Sequence, residues 1–141
     1  MFQMLWPIFV VIGANTLYNI ATKSTPGAVN PFASLSLTYL TAALLAIAAF
    51  FVTSPDKNLV AAWGKANWTA FALGGAVLFL ELGYVYLYRA GWRVSVGSIV
   101  ANVGLACVLL IVGVAFYREV VTLRQLLGMA VCGVGLALIT L

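Results

Sequence analysis

The chain has 141 residues, of which 65% are hydrophobic and only 7% are charged, and its formal net charge is +4. Ordinary soluble domains are about 45–50% apolar and about 25% charged, so this composition excludes the soluble class and predicts an integral membrane protein. The seven Lys and Arg residues are spread over short loops, which indicates anchoring at the membrane interface and gives no sign of a nucleic-acid partner.

Membrane spans need about 20 apolar residues each, so the chain has room for four or five of them and no separate soluble domain. We predict one all-α transmembrane domain over residues 1–141. Cys107 and Cys132 fall inside apolar segments, where a thiol behaves as a small hydrophobe, and the chain has no histidine. We therefore predict no metal site, no cofactor and no enzyme activity. The predicted spans cover residues 5–23, 32–53, 68–88, 96–117 and 123–141.

The first span carries a polar stripe. Its members follow the spacing i, i+3, i+4, i+7, which places them on one face of a helix: Asn15, Tyr18, Asn19 and Thr22. A polar stripe in lipid has to face protein. Two interpretations follow, namely hydrogen bonding between helices and the wall of a substrate cavity, for which Asn15 and Asn19 are the candidates.

The second span is uncharged, and its Ser, Thr and Tyr hydroxyls can bond to carbonyls of their own helix, so it indicates little about function. The segment from Ser24 to Pro31 collects turn-forming residues and separates the first two spans. Ser54 to Asn67 is the longest loop, and Trp63 and Trp68 are suited to the membrane interface.

The third predicted span contains Glu81, which is the only acidic residue inside any of the apolar segments. At about 1.5 Å per residue, Glu81 lies roughly 20 Å from Trp68 and about 12 Å from Arg89, which places it near the bilayer midplane. Holding a carboxylate there costs at least about 2.5 kcal/mol. We therefore expect Glu81 to face a protein interior or a hydrated cavity.

Tyr84 and Tyr88 share a helix face with Glu81. Aromatic faces attract cations, and phenol hydroxyls can bond to either protonation state of a carboxyl group. The sequence therefore predicts a proton- or cation-binding pocket around these three residues. The structural alternative is a neutral Glu81 bonded to a neighbouring helix, for example to Asn15, Asn19 or Asn102.

The fourth predicted span contains one more candidate cavity residue, and the fifth contains a signal for the start of a helix. Asn102 lies one turn after Ser98 in the fourth span, where it is a candidate cavity residue. Thr122 and Gln125 have the spacing of a capping box, which predicts that the fifth helix begins just after Thr122. Small residues in that helix, Gly128 and Gly135 among them, predict close packing or dimer contacts.

The run formed by Glu119, Thr122, Gln125, Gly128 and Gly135 resembles the end of an EamA domain, the repeat unit of the drug/metabolite transporter superfamily. The resemblance implies that the whole chain is one EamA-type repeat of five spans. It also implies a dimer in which two copies form an inverted repeat, because most relatives carry two such domains in tandem.

The segment Ala14 to Ser24, ANTLYNIATKS, is similar to the first helix of the small multidrug resistance family. That family has four spans and an essential glutamate in its first helix. Here Asn15 stands at that position, which places the family's exchange of cations for protons in doubt unless Glu81 has taken over the role of the acid. The span over residues 32–53 is then the additional helix.

We predict a small secondary transporter in the cell membrane, working as a dimer and moving a small cationic or amphipathic metabolite with a proton coupled through Glu81. Asn15, Asn19, Tyr84, Tyr88 and Asn102 are the other predicted substrate- or proton-binding residues. The alternative is a membrane subunit that does not transport by itself and pairs with a second half-size protein, for example in lipid flipping.

Orientation is weakly specified, since with five spans one side of the membrane holds four cations and the other three. Insertion follows the asymmetry of Lys and Arg in short loops. We therefore predict insertion in both orientations, which supplies the two copies of an antiparallel homodimer. The alternative is a single orientation fixed by a partner or by the insertion machinery.

Overall fold

The computed structural model describes the backbone of residues 2–140 and the side chains of residues 5–139. Its regular structure is helical throughout this range, which confirms the predicted all-α class. Six helices follow one another along the chain: α1 (Phe2–Ser24), α2 (Pro31–Thr53), α3 (Leu59–Trp63), α4 (Trp68–Arg89), α5 (Val94–Tyr117) and α6 (Leu123–Thr140).

Four of these helices are long and apolar enough to cross a membrane, and the protein is therefore described as membrane-embedded. They correspond to the first four predicted spans: α1, Pro31–Thr53, Trp68–Arg89 and Val94–Tyr117. Their ends agree with the prediction to within two residues, except that α1 begins at Phe2, three residues before the predicted start. The apolar part of α6, Leu123–Ile139, is shorter. The fifth span remains a prediction, and its last residue, Leu141, lies outside the described residues.

Local capping explains where the helices begin. The Asn30 side chain accepts a hydrogen bond of 2.9 Å from the Phe32 amide, and Pro31 occupies the first turn of α2, where its missing N–H costs nothing. At α6, the Gln125 Oε1 atom accepts from the Thr122 amide at 2.9 Å, and the Gln125 amide donates to the Thr122 hydroxyl at 3.3 Å. The predicted capping box is confirmed.

The chain divides into two compact units, of which the first consists of Met1–Lys23 and Ala90–Leu141. In this unit α5 packs against α6. The Lys23 ammonium at the end of α1 donates to the Trp92 carbonyl, just before α5, at 3.0 Å. The end of α1 therefore lies beside the start of α5, as expected for antiparallel neighbours.

The second unit is Ser24–Arg89, in which α2 packs against α4. The Arg89 guanidinium at the end of α4 donates to the Val29 carbonyl, just before α2, at 2.5 Å, so these two helices are also antiparallel. Along the chain, the short α3 lies between α2 and α4, within the loop from Ser54 to Asn67. The buried hydrophobic residues of the described chain, Leu35, Val85 and Tyr88, all belong to this unit.

Large apolar side chains are mostly exposed on all four long helices, as Phe9, Leu45, Phe71 and Ile111 illustrate. In water such an area would drive association. On membrane-length helices it is the surface expected to contact lipid or further protein.

One glycine is approached closely by another part of the chain. A Cβ atom at Gly113 would meet the Glu119 carboxyl, because the chain turns back after α5 through Arg118, whose φ is +53°. The Glu119 amide donates to the Gly113 carbonyl at 3.0 Å. By contrast, a Cβ at Gly128 or Gly135 would meet nothing within 4 Å, so no close packing inside the described chain is observed at these two positions. Their dimer contact stays a prediction.

Candidate functional site

Glu81 lies on α4 and is half-buried against α2. The residue that approaches it from α2 is Tyr39, whose hydroxyl lies close enough to the carboxyl group for an electrostatic interaction. The contact falls short of hydrogen-bond geometry, since the buried Tyr39 hydroxyl has no hydrogen-bond partner among the described residues. The two groups are chemically complementary, because a phenol O–H is a donor and a carboxylate oxygen is an acceptor.

Tyr84 and Tyr88 follow Glu81 along the same side of α4, as predicted. Their rings are tilted against each other with centroids 5.9 Å apart, and Tyr88 is buried while Tyr84 is half-buried. Within the described residues no Lys or Arg interacts with the Glu81 carboxyl. In an apolar environment without a basic partner, the carboxyl is favoured in its neutral, protonated form, and it can carry charge only with a cation or water close by.

The first unit contains an open cleft of about 690 Å³ between α1 and the start of α5. Amides and hydroxyls form its polar wall: Asn15, Thr16, Asn19, Ser95 and Ser98. Its remaining lining residues are apolar: Ile12, Ile20, Val94 and Ile99. The cleft therefore combines hydrogen-bonding groups with hydrocarbon and contains no charged side chain.

Hydrogen bonds along α1 order the asparagine pair of this cleft. The Asn19 side-chain nitrogen donates to the Asn15 carbonyl at 2.7 Å and to the Asn15 side-chain oxygen at 2.6 Å. Asn19 is only 4% exposed, whereas Asn15 is half-buried. The pair is held in place within one helix, and Asn15 is the more accessible member.

Asn102 does not line the α1/α5 cleft. Its side-chain nitrogen donates to the carbonyl of Ser98 at 2.8 Å and to the Ser98 hydroxyl at 3.2 Å. It contributes instead to a small pocket of about 190 Å³ between α5 and α6, which Cys107, Met129 and Cys132 also line. The Asn102 side chain is exposed.

The predicted site residues are divided between the two units. Asn15, Asn19 and Asn102 belong to the first unit, and Glu81 belongs to the second together with Tyr84 and Tyr88. Whether all six line one cavity stays a prediction.

Sequence reasoning missed two participants in these sites. Tyr39 was one of several hydroxyl residues on a helix without other signals, and only its packing against α4 reveals its relation to Glu81. Ser95 falls in the short connection before the fourth predicted span, whereas the structure begins α5 at Val94 and places Ser95 in the cleft.

Comparison with protein-family models, with curated proteins and with solved structures finds no match to this chain.

Proposed function

We propose that this chain is a small secondary transporter of the drug/metabolite type, in which Glu81 binds and releases a proton or pairs with a cationic group of the substrate. The transported molecule is a small cationic or amphipathic metabolite. The chain works as a dimer in the cell membrane and has a fifth span formed by α6.

One observation carries the proposal, namely the contact between the Glu81 carboxyl and the Tyr39 hydroxyl. Ionisable side chains within membrane-spanning helices are costly, and they usually mark a path for ions or protons. A purely structural acid would be expected to have a basic partner or several hydrogen bonds. Glu81 interacts with no basic side chain among the described residues, and the Tyr39 hydroxyl beside it is not aligned for a hydrogen bond.

Such an arrangement supports exchange between two states of the carboxyl group. When Glu81 is protonated it is uncharged and can remain in the apolar interior at low cost. When it loses the proton, its charge favours hydration or a cationic substrate, and the Tyr39 hydroxyl can rotate to donate a hydrogen bond to it. Alternation between these states is the requirement for coupling a proton to transport.

A dimer follows from the resemblance to EamA-type repeats and from the exposed polar groups at membrane depth. Asn102 lies about 12 Å into α5, and its side-chain oxygen accepts no hydrogen bond from any described residue. An amide oxygen in hydrocarbon is unfavourable, so a second protein surface or water is expected beside it. Two copies in opposite orientations would form the inverted repeat on which alternating access depends.

The proposal is tested by an unbiased uptake screen. The purified protein is reconstituted in liposomes, and a proton gradient is set up across their membrane. The liposomes are then exposed to pools of small metabolites, and the compounds that accumulate inside are identified by mass spectrometry. We expect at least one cationic or amphipathic compound to accumulate above empty liposomes and above the Glu81→Gln variant. Accumulation by the variant equal to that of the wild type would rule out the role of Glu81.

The second candidate is a membrane subunit that does not transport alone and pairs with a different half-size protein. The exposed Asn102 amide favours this second candidate equally, since the protein surface that covers the amide can belong to a different chain. The two candidates differ in composition of the active complex. Affinity purification from native membranes would give one polypeptide for the homodimer and two for the subunit.

A further inference from the structure

The α1/α5 cleft differs chemically from the surroundings of Glu81. Two amides and three hydroxyls form its polar wall, and every lining residue is uncharged. Burial of an unpaired charge at membrane depth is costly. A cleft without an opposite charge therefore disfavours a charged group and favours a neutral polar one.

Hydrogen-bond donors remain available in this cleft. Asn19 bonds to oxygen atoms of Asn15, so the Asn15 side-chain nitrogen keeps two N–H donors that bond to no described residue. The Ser95 hydroxyl likewise makes no hydrogen bond within residues 5–139. Ser98 accepts from Asn102 and keeps its own O–H donor. These donors match a ligand that brings acceptor oxygens.

The cleft runs along α1 from the middle of the helix toward its C-terminal end. From Ile12 to Ile20 it covers about 12 Å of α1, and on α5 its lining residues lie between Val94 and Ile99, at the start of that helix. Isoleucines flank the polar groups at both ends of the α1 wall. The arrangement fits a molecule with a polar part between the helices and a hydrocarbon part beside the isoleucines.

We propose that the α1/α5 cleft binds the uncharged, oxygen-bearing headgroup of an amphipathic molecule through Asn15, Ser95 and Ser98. This assignment deepens the transport function proposed above, and it rests on that function for the claim that the bound molecule is cargo. The cleft would select the neutral part of the substrate, while the coupling step belongs to Glu81.

The test uses photoactivatable dodecyl glucoside, which carries a neutral hydroxylated headgroup and a diazirine in its alkyl chain. Protein in lipid nanodiscs is irradiated with this probe, and labelled peptides are mapped by mass spectrometry. Dodecyl phosphate and dodecyltrimethylammonium with the same diazirine serve as charged comparisons. We expect saturable labelling within residues 12–20 and 94–99, at least about fivefold stronger for the glucoside than for either charged probe.

Two variants locate the binding groups. Asn15→Ala and Ser95→Ala should each weaken saturable labelling about fivefold, the effect of one lost hydrogen bond. Ser95→Ala removes a hydroxyl that has no partner in the described chain, so the fold should tolerate it. Ser36→Ala is the matched control, because the Ser36 hydroxyl lies exposed on α2 and bonds only to the Ala33 carbonyl. The probe should label Ser36→Ala as strongly as it labels the wild type.

Equal labelling by charged and neutral probes would overturn the assignment, as would labelling unchanged in both variants. Labelling that disappears when the dimer is cross-linked would show that a second copy of the chain fills the cleft, and would overturn it too. The measurement requires no transport, and Asp56→Asn, which removes an exposed carboxyl in the loop before α3, should leave labelling intact. Absence of labelling alongside Glu81-dependent flux would refute this assignment alone, whereas a labelled cleft in a chain without flux would refute the transport function alone.

Discussion

Tyr39 of α2 and Glu81 of α4 meet within the membrane-length part of the second unit, where the phenol hydroxyl lies beside the carboxyl group without a hydrogen bond. The relationship joins two helices that pack against each other, and it involves the only acid in the four long apolar helices. A side chain that can donate to Glu81 in one protonation state and withdraw in the other would assist a proton-coupled cycle.

Tyr39→Phe removes this hydroxyl and keeps the ring. Because the hydroxyl has no partner in the described chain, the variant should fold normally. It should lower proton-linked transport about fivefold, the effect of one hydrogen bond that forms during the cycle. The initial uptake rate in liposomes is the measurement. Tyr86→Phe is the control, because Tyr86 lies on the same α4 helix but is 54% exposed; equal effects of the two variants would show that Tyr39 has no special role.

The capping box makes a prediction about stability. Thr122→Ala removes the hydroxyl that accepts from the Gln125 amide, so it should lower the free energy of unfolding by about 1 kcal/mol. Thermal unfolding in detergent, followed by circular dichroism, measures the effect. In the control Thr41→Ala, the lost hydroxyl bonds only to the Leu37 carbonyl of its own helix. If both variants unfold at the same temperature, the box does not stabilise α6.

Local features of this protein could be predicted from the sequence. Apart from the start of α1, the ends of the first four spans agree with the structure because apolar length and turn-forming residues define them, as Pro31 does at the start of α2. The reciprocal bonds of Thr122 and Gln125 were predictable because both partners lie within one turn of helix.

Contacts between distant segments could not be predicted in the same way. Nothing in the spacing of α2 distinguishes Tyr39 from its neighbouring hydroxyl residues, since its importance depends on the register between α2 and α4. Ser95 and Asn15 are 80 positions apart, and only the antiparallel arrangement of α1 and α5 brings them to one cleft. Asn102 shows the same limit, because it lines the α5/α6 pocket and not the α1/α5 cleft.

Asn102 tests the proposed oligomer. Asn102→Leu replaces an exposed amide at membrane depth, so it should weaken association by about 0.6–1.7 kcal/mol if the amide bonds across the interface. The fraction of dimer is measured by cross-linking across a dilution series in lipid vesicles. Ile111→Ala is the control, since Ile111 is exposed on the opposite face of α5. An unchanged dimer fraction in Asn102→Leu would place the interface elsewhere.

Orientation provides a separate prediction that does not depend on whether α6 crosses the membrane. The balance of four cations against three predicts that both orientations are present. A single cysteine introduced as Asn58→Cys, in a background with Cys107→Ser and Cys132→Ser, should react with an impermeant thiol reagent from both membrane sides. Intact cells expose one side of the membrane to the reagent and inverted vesicles expose the other. If the introduced cysteine reacts in only one of these two preparations, the antiparallel homodimer is excluded. The cations on the two sides are Lys57, Lys65, Arg118 and Arg124 against Lys23, Arg89 and Arg93.

The most direct test of the central claim is proton movement coupled to substrate uptake through Glu81. Liposomes containing a pH-sensitive dye would report protons moved when a substrate found by the screen is added. Wild-type protein and the control Asp56→Asn, which removes an exposed carboxyl in the loop before α3, should both give a substrate-dependent pH change. Glu81→Gln should give none while retaining its helical content. A pH change of wild-type size in Glu81→Gln would contradict the account.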